Sequence, residues 1–423
     1  MTTTKNNEHK KLNFSSEREQ SQACLNSAEH EKNQGRKVLN VPNLRFPEFQ
    51  GEWEEERLAD IADLYKGTGI SKDQLSDDGE PCILYGELYT KYKSETIREV
   101  ISKTNIDNTK LVRSKANDVI IPCSGETAED IATARCVLNG NILLGGDLNI
   151  IRLHGYDGAF MSYQLNGRRK YDIAKVAQGV SVVHLYGEHL KGVKTINPCL
   201  EEQKEIAKLL SLLDERIATQ NKIIDKLQSL IKGIVDCTIL HKEKNAIVGD
   251  VCSISEQIRA EANIDDIITV RLHGNGVCKS SAENLQLGAT QYYRRKAGQL
   301  IYGKQNFHNG AIGIVPISLD NGITSKDIPS FDIDEMKCNS VYLLAQLQSP
   351  QYYKPAEALT TGTGSKRLKE ETFLKMPIVL PNKREQDDIA VLIHRASMNL
   401  DHAKRLLELL SIQKQFLLRQ MFI

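Results

Sequence analysis

A heptad-patterned segment occurs twice in this chain, at a fixed offset of 183 residues. The first copy opens at Asn197-Pro198-Cys199-Leu200-Glu201-Glu202-Gln203 and the second at Leu380-Pro381-Asn382-Lys383-Arg384-Glu385-Gln386. Pro198 then aligns with Pro381, Glu202 with Glu385, Gln203 with Gln386, Ile206 with Ile389 and Ala207 with Ala390, with no gap down to Thr238 and Met421. The first copy places Ile206, Leu210, Leu213, Ile217, Gln220, Ile224, Leu227, Ile231 and Ile234 at alternating steps of four and three. The second places Ile389, Ile393, Ala396, Leu400, Ala403, Leu407, Leu410, Lys414 and Leu417 at the same steps. Such spacing specifies a coiled-coil seam. Each helix would span roughly 55–60 Å at about 1.5 Å per residue, too long to bury its stripe in a small domain. Packing the two against each other, antiparallel, is the economical solution, and it predicts a pseudo-twofold dumbbell. Asn382 with Glu385 three residues on is a capping-box pattern at the second helix start.

The remaining sequence divides around these helices. At 423 residues the chain exceeds one ordinary core, so two or more domains are expected. Residues 1–40, polar and charged through Gly35, read as a disordered leader. No apolar run suggests a signal peptide or a spanning helix. One globular segment is expected over 41–198, a helix over 199–244, a second globular segment over 245–380 and a closing helix over 381–423. Trp53, the only tryptophan, is expected to anchor the leading segment of the first domain.

Both globular segments mix short β-like runs with turn signals. In the first the runs are Cys82-Ile83-Leu84-Tyr85, Asp118-Val119-Ile120-Ile121-Pro122 and Asn149-Ile150-Ile151-Arg152-Leu153, with a helix expected over Ala159–Ala177. In the second they are Ile267-Ile268-Thr269-Val270, Gln299-Leu300-Ile301-Tyr302 and Ala311-Ile312-Gly313-Ile314-Val315, with a helix over Ser340–Leu359. Leu58-Ala59-Asp60-Ile61 matches Val248-Gly249-Asp250-Val251, Gly179 matches Gly362 and Leu185 matches Leu368. Similar edges with divergent middles point to one α+β fold carrying two different recognition surfaces.

Catalytic signatures are absent. Gly274-Asn275-Gly276-Val277-Cys278-Lys279-Ser280 lacks the glycine before the lysine of a phosphate-binding loop. There is no dinucleotide fingerprint, no HExxH, no GxSxG and no Asn/Asp-Pro-Pro-aromatic tetrad. Nine cysteines at 24, 82, 123, 136, 199, 237, 252, 278 and 338 form no CxxC pair. They read as reduced thiols of a cytoplasmic protein rather than a disulfide or zinc framework. His184 and His189 lack further ligand candidates and read as loop or core histidines.

What remains is a set of polar and basic loops suited to nucleic acid. The sharpest runs from Thr360 to Lys369, with Thr363, Ser365, Lys366, Arg367 and Lys369 as candidate contacts. Glycines admit close backbone approach, hydroxyls donate and cations neutralise phosphate. Its counterpart carries Gln178, Ser181 and His184; Arg168, Arg169, Lys170, Arg271, His273, Arg294 and Arg295 are further candidates. Tyr85, Tyr89, Tyr92, Tyr292 and Tyr293 could reach bases, but a tyrosine near a strand is more often half-buried packing. The net charge of zero is unlike an autonomous nucleic-acid binder and leaves room for a subunit whose basic surface is local or supplied by partners.

This arrangement resembles the specificity subunit of type I restriction–modification systems. The likeness rests on Leu44-Arg45-Phe46-Pro47-Glu48-Phe49 leading to Trp53 and Leu58, and on the motif closing each domain. That motif reads Gly179, Leu185, Pro198 and Glu202-Gln203-Lys204-Glu205-Ile206-Ala207, then Gly362, Leu368, Pro381 and Glu385-Gln386-Asp387-Asp388-Ile389-Ala390. The resemblance implies two target-recognition domains, each reading one half of a bipartite double-stranded DNA target. It implies helices that set the spacer and dock two methyltransferase subunits, with restriction and translocase subunits joining the complex. It implies no catalysis and no cofactor in this chain; S-adenosylmethionine, ATP and Mg belong to the partners. Ala396, Ala403 and Lys414 on the second seam depart from the apolar pattern. The rival readings are a fused methyltransferase-nuclease, whose motifs are missing, and an adaptor whose domains bind protein or sugar. A steep loss of affinity with salt marks DNA binding and separates it from the adaptor.

Overall fold

The computed structural model describes residues 39–107, 109–179, 182–280, 290–362 and 365–423. Of the leader expected over 1–40, all but Leu39 and Asn40 lies outside them. The chain divides into two compact units, one running to Asp214 and taking in Ile412–Ile423, the other Glu215–Ser411. Each is α+β and holds part of both long helices.

The first unit is built on a five-stranded sheet in the order Ala62–Lys66, Leu148–Leu153, Asp118–Pro122, Arg135–Val137, Thr96–Ile97, antiparallel except for the last pair. Its central strand is buried throughout, and the side chains alternate between two cores. Val119, Ile121 and Ile151 face a core with Trp53, Phe160 and Tyr163; Ile120, Ile150 and Val137 face another with Ile83, Leu88 and Leu144. That is the period of two of a strand covered on both faces. Trp53 is buried and meets Phe160 edge-on at 5.9 Å, so it anchors the leading segment.

The second unit has a four-stranded sheet in the order Cys252–Ile254, Ser330–Ile333, Leu300–Tyr302, Ile312–Ile314. Here too, Leu300 and Tyr302 face one core and Ile301 the other. Tyr302, Phe307, Phe331 and Phe373 form an aromatic cluster with ring centroids as close as 4.8 Å.

The same frame closes both units. Glu54–Arg57 pairs antiparallel with Lys194–Asn197, and Ala246–Ile247 pairs antiparallel with Pro377–Ile378. Directly after, the Leu58 amide donates to the Val193 carbonyl and the Val248 amide to the Met376 carbonyl, each at 2.9 Å. The matched edges found in the sequence are therefore equivalent backbone positions where the chain enters beside the point at which it leaves.

The long helices are Leu200–Val235, continued by a π turn at Asp236–Leu240, and Lys383–Gln420. Within each unit their segments run antiparallel. In the first unit, Ile206 and Leu210 share a core with Leu417, Met421 and Phe422. In the second, Gln220 Nε2 donates to the Ala403 carbonyl at 3.0 Å, and Val235 shares a core with Ile389 and Ile393. Ile206, Leu210, Leu213, Ile224, Ile389, Ile393 and Leu410 are buried; Ile217, Leu227, Ile231, Ile234, Leu400, Leu407 and Leu417 are half-buried. The small Ala403 lets the polar Gln220 reach the backbone opposite, which explains two departures from the apolar pattern together.

Two expected helices are broken. The span Ala159–Ala177 is Gly158–Asn166 followed by Lys170–Val176. Asn166 turns its amide onto Ala134, accepting from its N–H at 2.7 Å and donating to its carbonyl at 2.8 Å, and Gly167 follows. The span Ser340–Leu359 stops at Leu347; Pro350 opens a new turn and Pro355 sits in a 3-10 turn. A proline lacks the N–H that a helix interior needs. At the second long helix Asn382 Oδ1 accepts from the Glu385 amide at 3.0 Å, the first half of a capping box. The Glu385 carboxylate bonds Lys242 instead. Among the described residues no helix is long and apolar enough to cross a membrane.

Candidate nucleic-acid interface

The repeated Glu-Gln pair sits where each long helix leaves its sheet. Gln203 is buried: its Nε2 donates to the Pro198 carbonyl at 2.9 Å and its Oε1 accepts from the Asp157 amide at 2.9 Å. Gln386 does the same with the Pro381 carbonyl at 2.8 Å and the Asn339 amide at 2.9 Å. Asp157 and Asn339 are the N-caps of Gly158–Asn166 and Ser340–Leu347. One glutamine per unit thus ties the start of a long helix to the start of the domain helix. Glu202, fully buried, takes Arg45 Nε and Nη2 at 2.7 Å each, and this bond raises the arginine pKa above its ordinary value. Glu385 takes Lys242 in the other unit.

Each unit also presents a glycine hairpin. Gln178 and His184 exchange backbone bonds at 2.9 and 2.7 Å, and Thr361 and Arg367 do so at 3.0 and 2.9 Å. Gly179 has φ 126° and Gly362 φ 129°. An added Cβ would lie 2.1 Å from the Val182 carbonyl oxygen in the first and 2.5 Å from that of Ser365 in the second. Only glycine fits such a turn. The next leucine is fully buried in both, and its amide bonds the strand-end carbonyl: Leu185 to Cys123 at 2.8 Å, Leu368 to Lys304 at 2.9 Å. The glycine-then-leucine motif is a hairpin pinned to the sheet. Ser181 and Thr363 lie outside the described residues.

The two hairpins carry different chemistry on one frame. In the second unit Ser365, Lys366, Arg367 and Lys369 are exposed. Lys366 pairs with Glu357 and Arg367 with Asp327, both at 3.3 Å and in solvent. Exposed pairs of this kind contribute little, so these cations can be recruited by phosphate. In the first unit Gln178 is exposed and His184 half-buried, its Nδ1 3.4 Å from Ser124 Oγ.

The other basic candidates separate. Arg168 donates to the Arg419 carbonyl at 2.7 Å and Arg169 to the Ile423 carbonyl at 3.4 Å, so both hold the C-terminal segment of their own unit. Lys170, half-buried, opens a helix. Arg271 is exposed with its Nε 3.0 Å from Cys278 Sγ, and exposed His273 adopts φ 59° in the adjoining turn. Arg294 is exposed, but Arg295 is fully buried and is not available to DNA. Strand alternation sends it inward, where it donates to Thr324 Oγ1 at 2.7 Å, Ser330 Oγ at 3.0 Å and the Ile328 carbonyl at 3.0 Å. Burial lowers its pKa to about 10.

One polar cluster was unforeseen. Lys414, on the heptad seam, reaches Glu95 Oε2 at 2.5 Å and Asp214 Oδ1 at 2.6 Å, and all three are largely buried. Asp214 Oδ2 also accepts from Tyr163 at 2.7 Å and Ser94 at 2.9 Å. The lysine was the only visible signal; its acids come from distant sequence. Among the described residues no group of His, Cys, Asp and Glu could hold a metal ion.

Residues 50–229 match the type I restriction modification DNA specificity domain. The chain is 23% identical over 378 residues to the specificity subunit of the type I restriction enzyme MjaVIII of Methanocaldococcus jannaschii, covering 82% of this chain and 86% of that one. Its fold is similar to the crystal structure of the type I restriction–modification S subunit from M. genitalium, with a TM-score of 0.63 and 15% identity over 90% of this chain and 99% of that one. With a duplicated frame, hairpins of differing chemistry and long helices closing both units, the chain is similar to the specificity subunits of type I restriction–modification systems and carries their DNA specificity domain over residues 50–229.

Proposed function

We propose that this chain reads DNA sequence for a type I restriction–modification complex, each unit taking one half of a bipartite target. It is a non-catalytic specificity subunit and assembles with other subunits of the system. The observation that carries the bipartite reading is the pair of glycine hairpins. Equivalent backbone bonds hold them, Gln178 to His184 and Thr361 to Arg367, yet their side chains differ in charge and size. A frame kept twice with unlike surfaces suits two unlike half-sites.

The heptad helices hold the separation between the half-sites and dock two methyltransferase subunits, with restriction and translocase subunits joining. Supporting this is the apolar surface the helices leave exposed. Leu406 and Leu409 in the second unit, and Ile412 and Phe416 in the first, are each about half exposed although large and apolar. Exposed apolar stripes of this kind mark protein contacts. S-adenosylmethionine, ATP and Mg act in the partner subunits, in the cytoplasm. Methylome sequencing of cells with and without this chain tests the reading: a motif with two defined halves should disappear with it. A methylome unchanged by its removal refutes the proposal.

A further inference from the structure

The first unit carries a cleft whose lining includes none of Arg168, Arg169 and Lys170. Two concavities, of about 1000 and about 550 Å³, share Tyr85, Gly86 and Thr90 and so form one trough. The glycine hairpin borders it: Val183 and His184 pair with Gly125 and Ser124, and Val182 lines the smaller concavity. Nothing lies within 4 Å of a Cβ built on Gly86, so the trough is open above it. Of the tyrosine candidates, Tyr92 and Tyr292 are buried, whereas Tyr85 is 39% exposed here and Tyr89 bonds the Ser124 carbonyl at 3.2 Å.

Among the described residues, the lining of the smaller concavity holds two carboxylates and no cation. Asp130 is engaged in a helix cap, accepting from Thr127 Oγ1 at 2.6 Å. Glu126 is exposed, and among the described residues it makes no hydrogen bond or ion pair. A phosphate would be repelled there. In the major groove, the groups on DNA that donate to a carboxylate are the exocyclic amines of cytosine and adenine. Tyr85 adds an aromatic face beside the acceptor.

We infer that this trough is the base-reading surface of the first unit, with Glu126 accepting from the amino edge of a cytosine or adenine and Tyr85 packing against that base or its neighbour. The inference rests on the DNA-recognition reading and adds the chemistry of one half-site: its specificity comes from an acceptor rather than from an arginine. Lys72, on the rim of the larger concavity, supplies phosphate attraction without reading sequence.

The test uses the full chain assembled with its partner subunits, with the methylated motif read for parent, Glu126→Ala and Glu126→Gln. Glu126 is exposed and without a partner among the described residues, so melting temperatures should match the parent's. Glu126→Ala should relax one base of one half-site, lowering discrimination there by about 10-fold or more. Glu126→Gln should shift that base toward adenine, whose N6 and N7 suit an amide. The other half-site should be unchanged in both. A folded Glu126→Ala complex with an unaltered motif overturns this inference alone, as does a uniform loss of binding to all sequences. A parent complex that modifies no defined motif overturns the DNA-recognition reading and this inference with it.

Discussion

Replacing Lys414 with methionine should destabilise the first unit through the charges it leaves behind. Lys414 is the sole cation bonded to the Glu95 and Asp214 carboxylates among the described residues. The three side chains are 15, 12 and 8% exposed. Removing one partner of such a buried set typically costs about 3–5 kcal/mol, because the remaining carboxylates stay out of water and lose the cation bonded to them, with Arg135 acting on them only through space. For a unit of this size about 1 kcal/mol moves the melting temperature by about 2–4 °C. Lys414→Met should therefore lower it by roughly 6–20 °C. Adding Glu95→Gln should recover part of the loss.

The pH dependence has a defined sign. Burial pushes the Glu95 carboxyl above its ordinary range, with Lys414 opposing that shift. Without the lysine the shift grows, so the folded state binds a proton that the unfolded chain has released. The variant's deficit should then shrink as the pH falls below the raised Glu95 value and widen as the pH rises through it. The parent has a separate limit. Its Lys414 pKa is raised overall, by Glu95 and Asp214 against the lowering effect of burial, so its contribution is lost only above the ordinary lysine range. Thermal unfolding across pH 5–8 measures this. An unchanged melting temperature, or a deficit that grows on acidification, refutes the reasoning.

Three further outcomes are expected. Gln203→Ala or Gln386→Ala leaves an N-cap amide and a proline carbonyl without their side-chain partner, and should cost about 1–3 kcal/mol in the affected unit by denaturant titration. Lys366→Ala with Arg367→Ala should weaken binding to all sequences and flatten the salt slope measured by titration; an unchanged slope assigns the loop to ordinary surface. Inserting seven residues after both Gln220 and Ala403, which face each other through a hydrogen bond, should lengthen the methylated motif's spacer by roughly 3 base pairs and leave both half-sites intact.

The sequence by itself determined the repeat, the two heptad helices and six of the described strands, because each rests on a local period or a fixed offset. Ile206 through Ile234 could be placed on one helix face from spacing alone, and Gly179 and Gly362 marked equivalent turns. What lay beyond it were contacts between residues distant in sequence. Arg294 and Arg295 read alike as neighbouring cations, and only strand pairing decided that one faces solvent and the other fills a core with Thr324 and Ser330. The span Ala159–Ala177 is helical by propensity, but the contact of Asn166 with Ala134 breaks it. Glu126 carries no local signal, and only the trough shared by Tyr85, Gly86 and the glycine hairpin gives it an address. Periodicity reports which face a residue takes along its own element; what that face meets depends on how the chain folds back, and no local pattern encodes it.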